Sequence, residues 1–187
     1  KENGSKLLFA KGKTVCHMSS ACSFLMTKTS VYLKSNLFLI GGRQLINEER
    51  LLQEFLELVQ IDSETKNEGQ IAKILKDKFS LLGVDVYEDN AKELTGFGAG
   101  NLICTLPGTK EGVDTIYFTS HMDTVVPGNG VKPSIKDGYV VTDGTTILGA
   151  DDKTGLSVML EVIRVLKENN IEHGTIQFII TVGEESG

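Results

Sequence analysis

The chain has 187 residues, of which 40% are hydrophobic and 20 are glycines, a composition typical of a globular protein. Its formal net charge of -6 argues against a nucleic-acid-binding protein, because such proteins carry a basic face. No apolar run approaches the roughly 18 residues of a membrane span, so no membrane partner is expected. Three scattered cysteines, an odd number, indicate a reducing compartment, and we expect a cytoplasmic protein.

Charge is distributed unevenly along the chain. Residues 1–44 contain seven basic residues and one acidic residue, a balance of +6. Residues 45–187 contain 12 basic and 24 acidic residues, a balance of -12. A shift of this size at one point predicts two segments of different role. We expect residues 1–44 to be an atypical basic extension, disordered or foreign to the domain, and residues 45–187 to carry the chemistry.

Apolar periodicity predicts three helices after residue 45. Asn47 is a cap for the first, which carries acidic residues in its first turn and an apolar stripe along one face. The second is predicted to begin at Asn67, with Gln70 completing a capping pair, and to end at Gly83. The third is long and mostly apolar, and covers residues 152–168.

Strand patterns alternate with these helices. The last strand is a near-continuous apolar run, which is typical of strands inside a parallel sheet. The alternation predicts an α/β fold with a mostly parallel central sheet flanked by helices. The predicted strands cover residues 84–87, 101–106, 115–119 and 175–182, with a short extended excursion at 131–141.

A first polar cluster, SHMDT at residues 120–124, directly follows a predicted strand. The two-residue spacing on extended chain places His121 and Asp123 on the same side. His121 can offer a neutral ring nitrogen to a metal ion while Asp123 orients the ring through its other nitrogen. A capping aspartate beside an ordinary loop histidine is the alternative.

A second cluster, GADDKTG at residues 149–155, leads into the long helix. An aspartate at a helix start is commonly an N-cap. A carboxylate here can equally bridge two cations about 3.5–4 Å apart, as in two-metal sites. The spacing leaves open whether Asp151 or Asp152 would do so.

A third cluster, GEESG at residues 183–187, follows the most apolar strand. Two carboxylates at the end of a buried strand are costly to desolvate without a cation or a shared proton. One of them can bind a metal ion while the other acts as a general base. The spacing does not separate Glu184 from Glu185 in these roles, and a solvated turn is the alternative.

Together, the three clusters place one histidine and several carboxylates at successive strand ends. Imidazole mixed with carboxylates suits zinc, cobalt or manganese in a hydrolytic site. A serine or cysteine nucleophile has no support, because the chain lacks a Gly-x-Ser-x-Gly turn and Cys104 lies in an apolar strand.

The motifs TSHMDT at 119–124, LGADDKTG at 148–155 and VGEESG at 182–187 resemble those of the di-zinc peptidase T-like family. Wider relatives of that family include aminoacylases, glutamate-releasing carboxypeptidases and succinyl-diaminopimelate desuccinylase. The resemblance covers about residues 45–187 and implies the N-terminal part of a zinc-exopeptidase-like α/β/α catalytic domain.

The resemblance also implies a role for each site residue. His121 would bind one zinc ion, with Asp123 as its orienting catalytic partner, and Asp151 would bridge both ions. Glu184 would be the general base and Glu185 a ligand of the second zinc ion. Two Zn²⁺ ions are implied for each full-length active site, with Co²⁺ or Mn²⁺ as alternatives.

The implied activity is hydrolysis of short peptides, as in a tripeptide aminopeptidase, and full-length relatives are expected to be homodimers. In the family pattern, a further carboxylate ligand, a lid and dimerisation domain and a last histidine ligand follow the double glutamate. This chain stops at Gly187, so we expect it to be truncated and inactive or very weak alone. Two alternatives stay open: an N-acyl amino acid amidohydrolase of the same family, or a non-catalytic folded remnant.

Overall fold

The computed structural model describes the backbone of residues 14–18, 22–27, 30–34, 39–40 and 43–186, and side chains from residue 45 to residue 186. The strands that precede residue 45 are β1 (Thr14–Met18), β2 (Cys22–Thr27), β3 (Ser30–Lys34), β4 (Leu39–Ile40) and β5 (Arg43–Gln44). The side chains of residues 1–44 lie outside the described residues. The expectation of a separate basic extension therefore stays a prediction.

Helices and strands are interspersed in the rest of the chain, without the regular alternation that the sequence pattern predicts. The helices are α1 (Glu48–Val59), α2 (Gly69–Leu81), α3 (Ala91–Thr95) and α4 (Ala150–Glu168). The strands are β6 (Asp85–Glu88), β7 (Leu102–Leu106), β8 (Ile116–His121), β9 (Ser134–Lys136), β10 (Tyr139–Val141) and β11 (Ile176–Thr181).

The central sheet has four strands in the order β6-β7-β11-β8. Strands β11 and β8 are parallel, whereas β11 pairs antiparallel with β7, and β6 pairs antiparallel with β7. The α/β class with a sheet flanked by helices is confirmed, but the described sheet is mixed and not mostly parallel. The apolar run of β11 reflects the burial of its side chains in the core, which does not depend on the direction of the neighbouring strands.

A second sheet is antiparallel throughout its described pairings. Its order is β1-β2-β3-β10-β9, so the β9–β10 hairpin is extended by strands from before residue 45. The excursion predicted at residues 131–141 is this hairpin.

Helix α1 begins where the sequence predicts, but α2 does not. The Asn47 side chain accepts a hydrogen bond from the backbone of Arg50 at 3.0 Å and so caps α1. Helix α2 begins at Gly69 with Glu68 as its N-cap residue, and the predicted pair of Asn67 with Gln70 is wrong. The buried Glu68 carboxylate instead accepts from the backbone N–H of Gly98 at 2.7 Å, a contact that links distant segments.

The main core lies between the central sheet and the helices α2 and α4. Phe178 of β11 lies at its centre, with its ring centroid 5.7 Å from those of Phe79 and Phe118. Phe178, Phe79 and Leu160 are fully buried, and burying a side chain of this size contributes about 1.5–3 kcal/mol. This packing fixes the carboxyl ends of β8 and β11 against the start of α4.

None of the helices in the described part of the chain combines the length and the apolar character needed to cross a membrane.

Candidate metal centre

The candidate site lies at the edge of the central sheet where β8 and β11 end. The two strands are parallel, and their last residues, His121 and Thr181, are paired. Parallel strands present their carboxyl ends at one edge, so the loops that follow them are neighbours. The backbone N–H of Met122 accordingly donates to the carbonyl of Thr181 at 3.0 Å.

The ring of His121 is held with one nitrogen facing its own loop and the other facing the site. Its Nδ1 lies 2.9 Å from the backbone carbonyl of Asp123 and 3.5 Å from the Asp123 carboxylate. Because a carbonyl oxygen only accepts hydrogen bonds, Nδ1 carries a hydrogen, and a neutral ring therefore presents its lone pair at Nε2. Nε2 lies 3.1 Å from Asp151 Oδ1 and 3.8 Å from Glu184 Oε2.

The electrostatic environment of this ring is strongly acidic. Burial lowers the pKa of His121, but its contacts with Asp123 and Asp151 and the charge of Asp152 outweigh burial and raise the pKa to about 10. The surrounding carboxylates thus favour a positive charge at this position. A bound metal ion supplies such a charge and requires the neutral ring as its ligand.

Asp123 is fully buried and accepts hydrogen bonds from both neighbouring loops. The backbone N–H groups of Glu184 and Glu185 donate to its two carboxylate oxygens, each at 3.1 Å. The hydroxyl of Thr65 donates to Oδ2 at 2.8 Å. Burial alone would raise the pKa of Asp123, but the contacts with His121, Thr65 and these backbone groups lower it. Asp123 is therefore ionised and fixed in place.

The adjacent aspartates at the start of α4 have different environments. Asp151 has an extended backbone, and its largely exposed side chain reaches His121. Asp151 and Asp152 both have non-helical φ and ψ, so the regular turns of α4 begin only after Asp152. The Asp152 side chain accepts a hydrogen bond from the backbone N–H of Gly155 at 2.9 Å, which is the contact of an N-cap to these turns. A Cβ atom at Gly155 would lie 2.4 Å from an Asp152 oxygen, so this close approach requires glycine. The structure thus separates a capping Asp152 from an Asp151 that faces the site.

The two glutamates lie in a single 3₁₀ turn, Glu184–Ser186, directly after β11 and Gly183. The side chain of Glu184 is 59% exposed, whereas Glu185 is half-buried. Burial, together with the charge of Asp151, raises the pKa of Glu185. A carboxylate whose charge is disfavoured in this way is a suitable neighbour for a cation.

Gly183 forms the bend that aims this turn at the site. Its φ is +66°, in the left-handed region that favours glycine. A Cβ atom there would also lie 2.4 Å from the ring of Phe97. The glycine before the double glutamate is therefore required by backbone shape and by packing.

The donor atoms at this edge of the sheet fit a divalent cation. His121, Glu184 and Glu185 each offer one ligand atom, and these three atoms lie within 4.8 Å of one another. Imidazole nitrogen with carboxylate oxygen is a donor set suited to zinc, cobalt or manganese. The structure brings together all five predicted site residues, because Asp123 and Asp151 both contact the His121 ring.

Two further residues shape the site and were not predicted from the sequence. Thr65 contacts Asp123 from a loop 58 residues earlier. Lys153, only 1% exposed, donates from Nζ to the carbonyl of Ile61 at 2.5 Å and so holds that loop. A threonine in a polar loop carries no periodic signal. The sole hint at Lys153 is a charged residue inside an otherwise buried helix.

Comparisons with known proteins agree with the fold and the motifs. Residues 117–187 match the model of peptidase family M20/M25/M40. The YqjE protein of Bacillus subtilis is 76% identical over 143 residues, which are 76% of this chain and 38% of that protein.

Two solved structures are similar over the same share of the chain. Aminopeptidase PepT from Bacillus cereus is 75% identical, with a TM-score of 0.76. A tripeptidase from Staphylococcus aureus is 64% identical, with a TM-score of 0.74. Each comparison covers 76% of this chain and 38% of the other chain. The predicted resemblance to peptidase T-like proteins is confirmed, and the chain spans 38% of the length of these relatives.

Proposed function

We propose that residues 45–187 are the N-terminal portion of a peptidase of family M20/M25/M40. In this proposal, the chain supplies part of the catalytic centre for metal-dependent hydrolysis of peptide bonds. The observation that carries the proposal is the cluster around His121 Nε2. Carboxylate oxygens of Asp151 and Glu184 lie 3.1 Å and 3.8 Å from that nitrogen.

We assign the ligand roles as the family resemblance implies, within the cluster around this nitrogen. His121 would hold one Zn²⁺ ion through Nε2, Glu185 would hold a second, and Asp151 would bridge the two. When bound, divalent cations act as Lewis acids on a peptide carbonyl and make a water molecule easier to deprotonate. Asp123 keeps the ring of His121 in the orientation and tautomer that leave Nε2 free.

The general base in this proposal is Glu184. Its side chain is the more exposed of the two glutamates, which leaves it accessible to water, while its backbone N–H is fixed to Asp123. In this role, the Glu184 carboxylate takes the proton of the attacking water and returns it to the leaving amine. The division of roles between Glu184 and Glu185 rests on the family resemblance, because both lie in the same ligand cluster.

The substrate class follows from the relatives. The similarity to an aminopeptidase and to a tripeptidase, at 75% and 64% identity, favours removal of N-terminal residues from short peptides such as tripeptides. Assembly of the full-length protein as a homodimer and a cytoplasmic location remain parts of the proposal. So does the expectation that the 187-residue chain has little or no activity alone.

A chimera tests this function directly. Residues 45–187 would replace the matching segment of the Staphylococcus aureus tripeptidase, which is 64% identical. We expect the chimera to hydrolyse a tripeptide in a chelator-sensitive manner. An N-acetylated amino acid would be hydrolysed poorly, and preferential hydrolysis of that substrate would support the amidohydrolase instead.

Substitution within the chimera tests the assigned base. Glu184→Gln should retain Zn²⁺, measured by elemental analysis, while tripeptide turnover falls by about 100-fold or more. Glu111→Gln removes the same charge from an exposed loop and is the matched control. Loss of Zn²⁺ from Glu184→Gln would show that Glu184 is a ligand. A folded chimera with no activity on any peptide would contradict the proposed function.

A further inference from the structure

The carboxylate of Asp123 is fixed by donors that come from two separate loops. Glu184 and Glu185 donate from the loop after β11, through backbone N–H groups at 3.1 Å. Thr65 donates from the loop after α1, through its side-chain hydroxyl, and at 2.8 Å this contact is the shortest of the three. The hydroxyl is thus the one donor of this set that a substitution can remove while the backbone stays intact.

The loop that carries Thr65 is itself held against the site. The backbone N–H of Thr65 donates to the carbonyl of Thr124 at 3.2 Å, and the N–H of Thr124 donates to the carbonyl of Ser63 at 3.0 Å. These two bonds form a parallel β-bridge between Glu64 and Thr124, the residue that follows Asp123. The position of the Thr65 hydroxyl is therefore set by backbone pairing.

A second contact fixes the start of the same loop. The buried Nζ of Lys153 donates to the carbonyl of Ile61 at 2.5 Å, and Lys153 lies two residues after Asp151 on α4. Residues 61–65 therefore connect the start of α4, where Asp151 lies, to Asp123. Lys153 binds the first residue of this segment, and Asp123 accepts a hydrogen bond from the last.

Without the Thr65 hydroxyl, Asp123 Oδ2 keeps only the Glu185 backbone N–H among these donors. A buried carboxylate that loses a hydrogen-bond partner shifts or rotates to recover one, because an unsatisfied charged group is costly. The ring of His121 depends on the same residue, both through its carbonyl at 2.9 Å and through its carboxylate at 3.5 Å.

We propose that Thr65 is a positioning residue of the metal centre, whose hydroxyl fixes the Asp123 carboxylate and, through Asp123, the orientation of the His121 ring. Partners of this kind, one step removed from the metal, commonly change metal affinity by about 10–100-fold when they are replaced. The inference rests on the proposed function, because it assumes that His121 binds a metal ion.

The test compares substitutions that remove or keep the hydroxyl. Thr65→Val has nearly the same shape without the hydroxyl, and Thr65→Ser keeps it. Thr142→Val is the control, since Thr142 is also half-buried and donates to a backbone carbonyl, that of Thr146 at 3.0 Å, in another loop. The affinity of the 187-residue chain for Zn²⁺ is measured by competition with a coloured chelator. The visible absorption of the Co²⁺-loaded chain reports ligand geometry.

We expect Thr65→Val to bind Zn²⁺ at least about 10-fold more weakly and to change the Co²⁺ spectrum, with Thr65→Ser and Thr142→Val close to the parent chain. Thermal unfolding in chelator shows whether Thr65→Val is folded, and Thr65→Ala gives the same deletion with a smaller side chain if it is not. Equal affinity of Thr65→Val and the parent would overturn the inference alone. So would a loss in Thr65→Ser as large as that in Thr65→Val. If the parent chain binds neither Zn²⁺ nor Co²⁺, the same substitutions are compared in the chimera with the Staphylococcus aureus tripeptidase. A chimera with the unsubstituted segment that binds neither ion would overturn the proposed function and the inference together.

Discussion

Two clusters of acidic residues contact α4 in the described part of the chain, one between α1 and α4 and one at the sheet edge, and they are neutralised differently. Between α1 and α4, the buried carboxylate of Glu161 pairs with Arg50 at 2.8 Å, and Glu54 pairs with Arg164 at 2.5 Å. At the sheet edge, the ion pairs that Asp123, Asp151 and Glu184 make within the described part of the chain all go to His121.

This difference indicates that the charges of the first cluster stabilise the fold, whereas those of the second are available to bind a cation. In the α1–α4 cluster, each buried acid has a permanently charged guanidinium as its partner. In the sheet-edge cluster, several carboxylates share one imidazole, which leaves an excess of negative charge. A divalent cation would offset that excess, so the first cluster should govern stability and the second should govern metal binding.

The largest effect is expected at Asp151. Asp151→Asn removes a ligand charge from an exposed side chain, so we expect Zn²⁺ affinity to fall by at least about 100-fold while the free energy of unfolding without metal changes by less than about 0.5 kcal/mol. Competition with a chelator and urea unfolding in chelator measure the two quantities. Glu111→Gln removes one charge from an exposed loop and should leave both unchanged. Full Zn²⁺ affinity in Asp151→Asn would mean that Asp151 is not a ligand.

The opposite pattern is expected in the α1–α4 cluster. Arg50→Met removes the closest cation of Glu161, whose side chain is only 4% exposed, so the free energy of unfolding should fall by about 2 kcal/mol. Urea unfolding measures this change, and Zn²⁺ affinity should not move. Lys110→Met breaks the exposed pair with Glu172 at 2.9 Å and should cost less than about 1 kcal/mol. If the two substitutions lower the free energy of unfolding equally, burial does not strengthen the contribution of the Arg50–Glu161 ion pair to stability.

Asp152 tests whether two adjacent aspartates at the start of α4 have different roles, one in stability and one in metal binding. Asp152→Ala removes the cap of α4, so we expect the free energy of unfolding to fall by about 1 kcal/mol. Zn²⁺ affinity should fall much less than in Asp151→Asn. A loss of affinity equal to that of Asp151→Asn would assign a ligand role to Asp152 as well.

The smallest effect on stability is expected at Asp89, a carboxylate that accepts hydrogen bonds from uncharged groups. Burial raises the pKa of Asp89, but hydrogen bonds from the Asn101 side chain and from the backbone of Ala91 and Asn101 outweigh it and lower the pKa. A lowered folded-state pKa means that Asp89 stabilises the fold above its unfolded value of about 3.9, and that this contribution is lost as the pH falls below that value.

Urea unfolding at pH 7 and at pH 3 tests this assignment. The loss of stability between the two pH values should be smaller in Asp89→Asn than in the parent chain, because the variant has no carboxylate to protonate. An identical loss in both chains would show that Asp89 contributes nothing to the pH dependence.

Local sequence signals predicted those parts of the fold that depend on local contacts. Helix α1 begins after Asn47 because that side chain caps its own first turn. The start of α2 was misplaced because the carboxylate of Glu68 bonds to Gly98, 30 residues away. Helix α3 was not predicted, since it is short and buries none of its residues. Strand direction was also wrong in part, because an apolar run indicates burial and carries no direction.

In the candidate site, too, the sequence predicted what depends on local pattern and missed what depends on distant contacts. His121, Asp123 and the double glutamate lie at or just after the ends of predicted strands, so their positions at the sheet edge were predicted from the pattern alone. The spacing left Asp151 and Asp152 open, and the choice of Asp151 rested on the family resemblance; in the structure, Asp151 contacts His121 and Asp152 contacts Gly155. Thr65 was missed because its partner lies 58 residues away and its loop has no pattern.

The hydrogen bonds to Asp123 also couple the order of the site to the folding of the whole domain. They join this residue to segments 58, 61 and 62 residues away in the chain, so closing these loops carries a large entropic cost before any contact forms. We expect the backbone N–H groups of Glu184 and Glu185 to exchange with deuterium only as fast as the whole domain opens. Exchange of these groups much faster than in β11 would show that the site opens while the sheet stays closed.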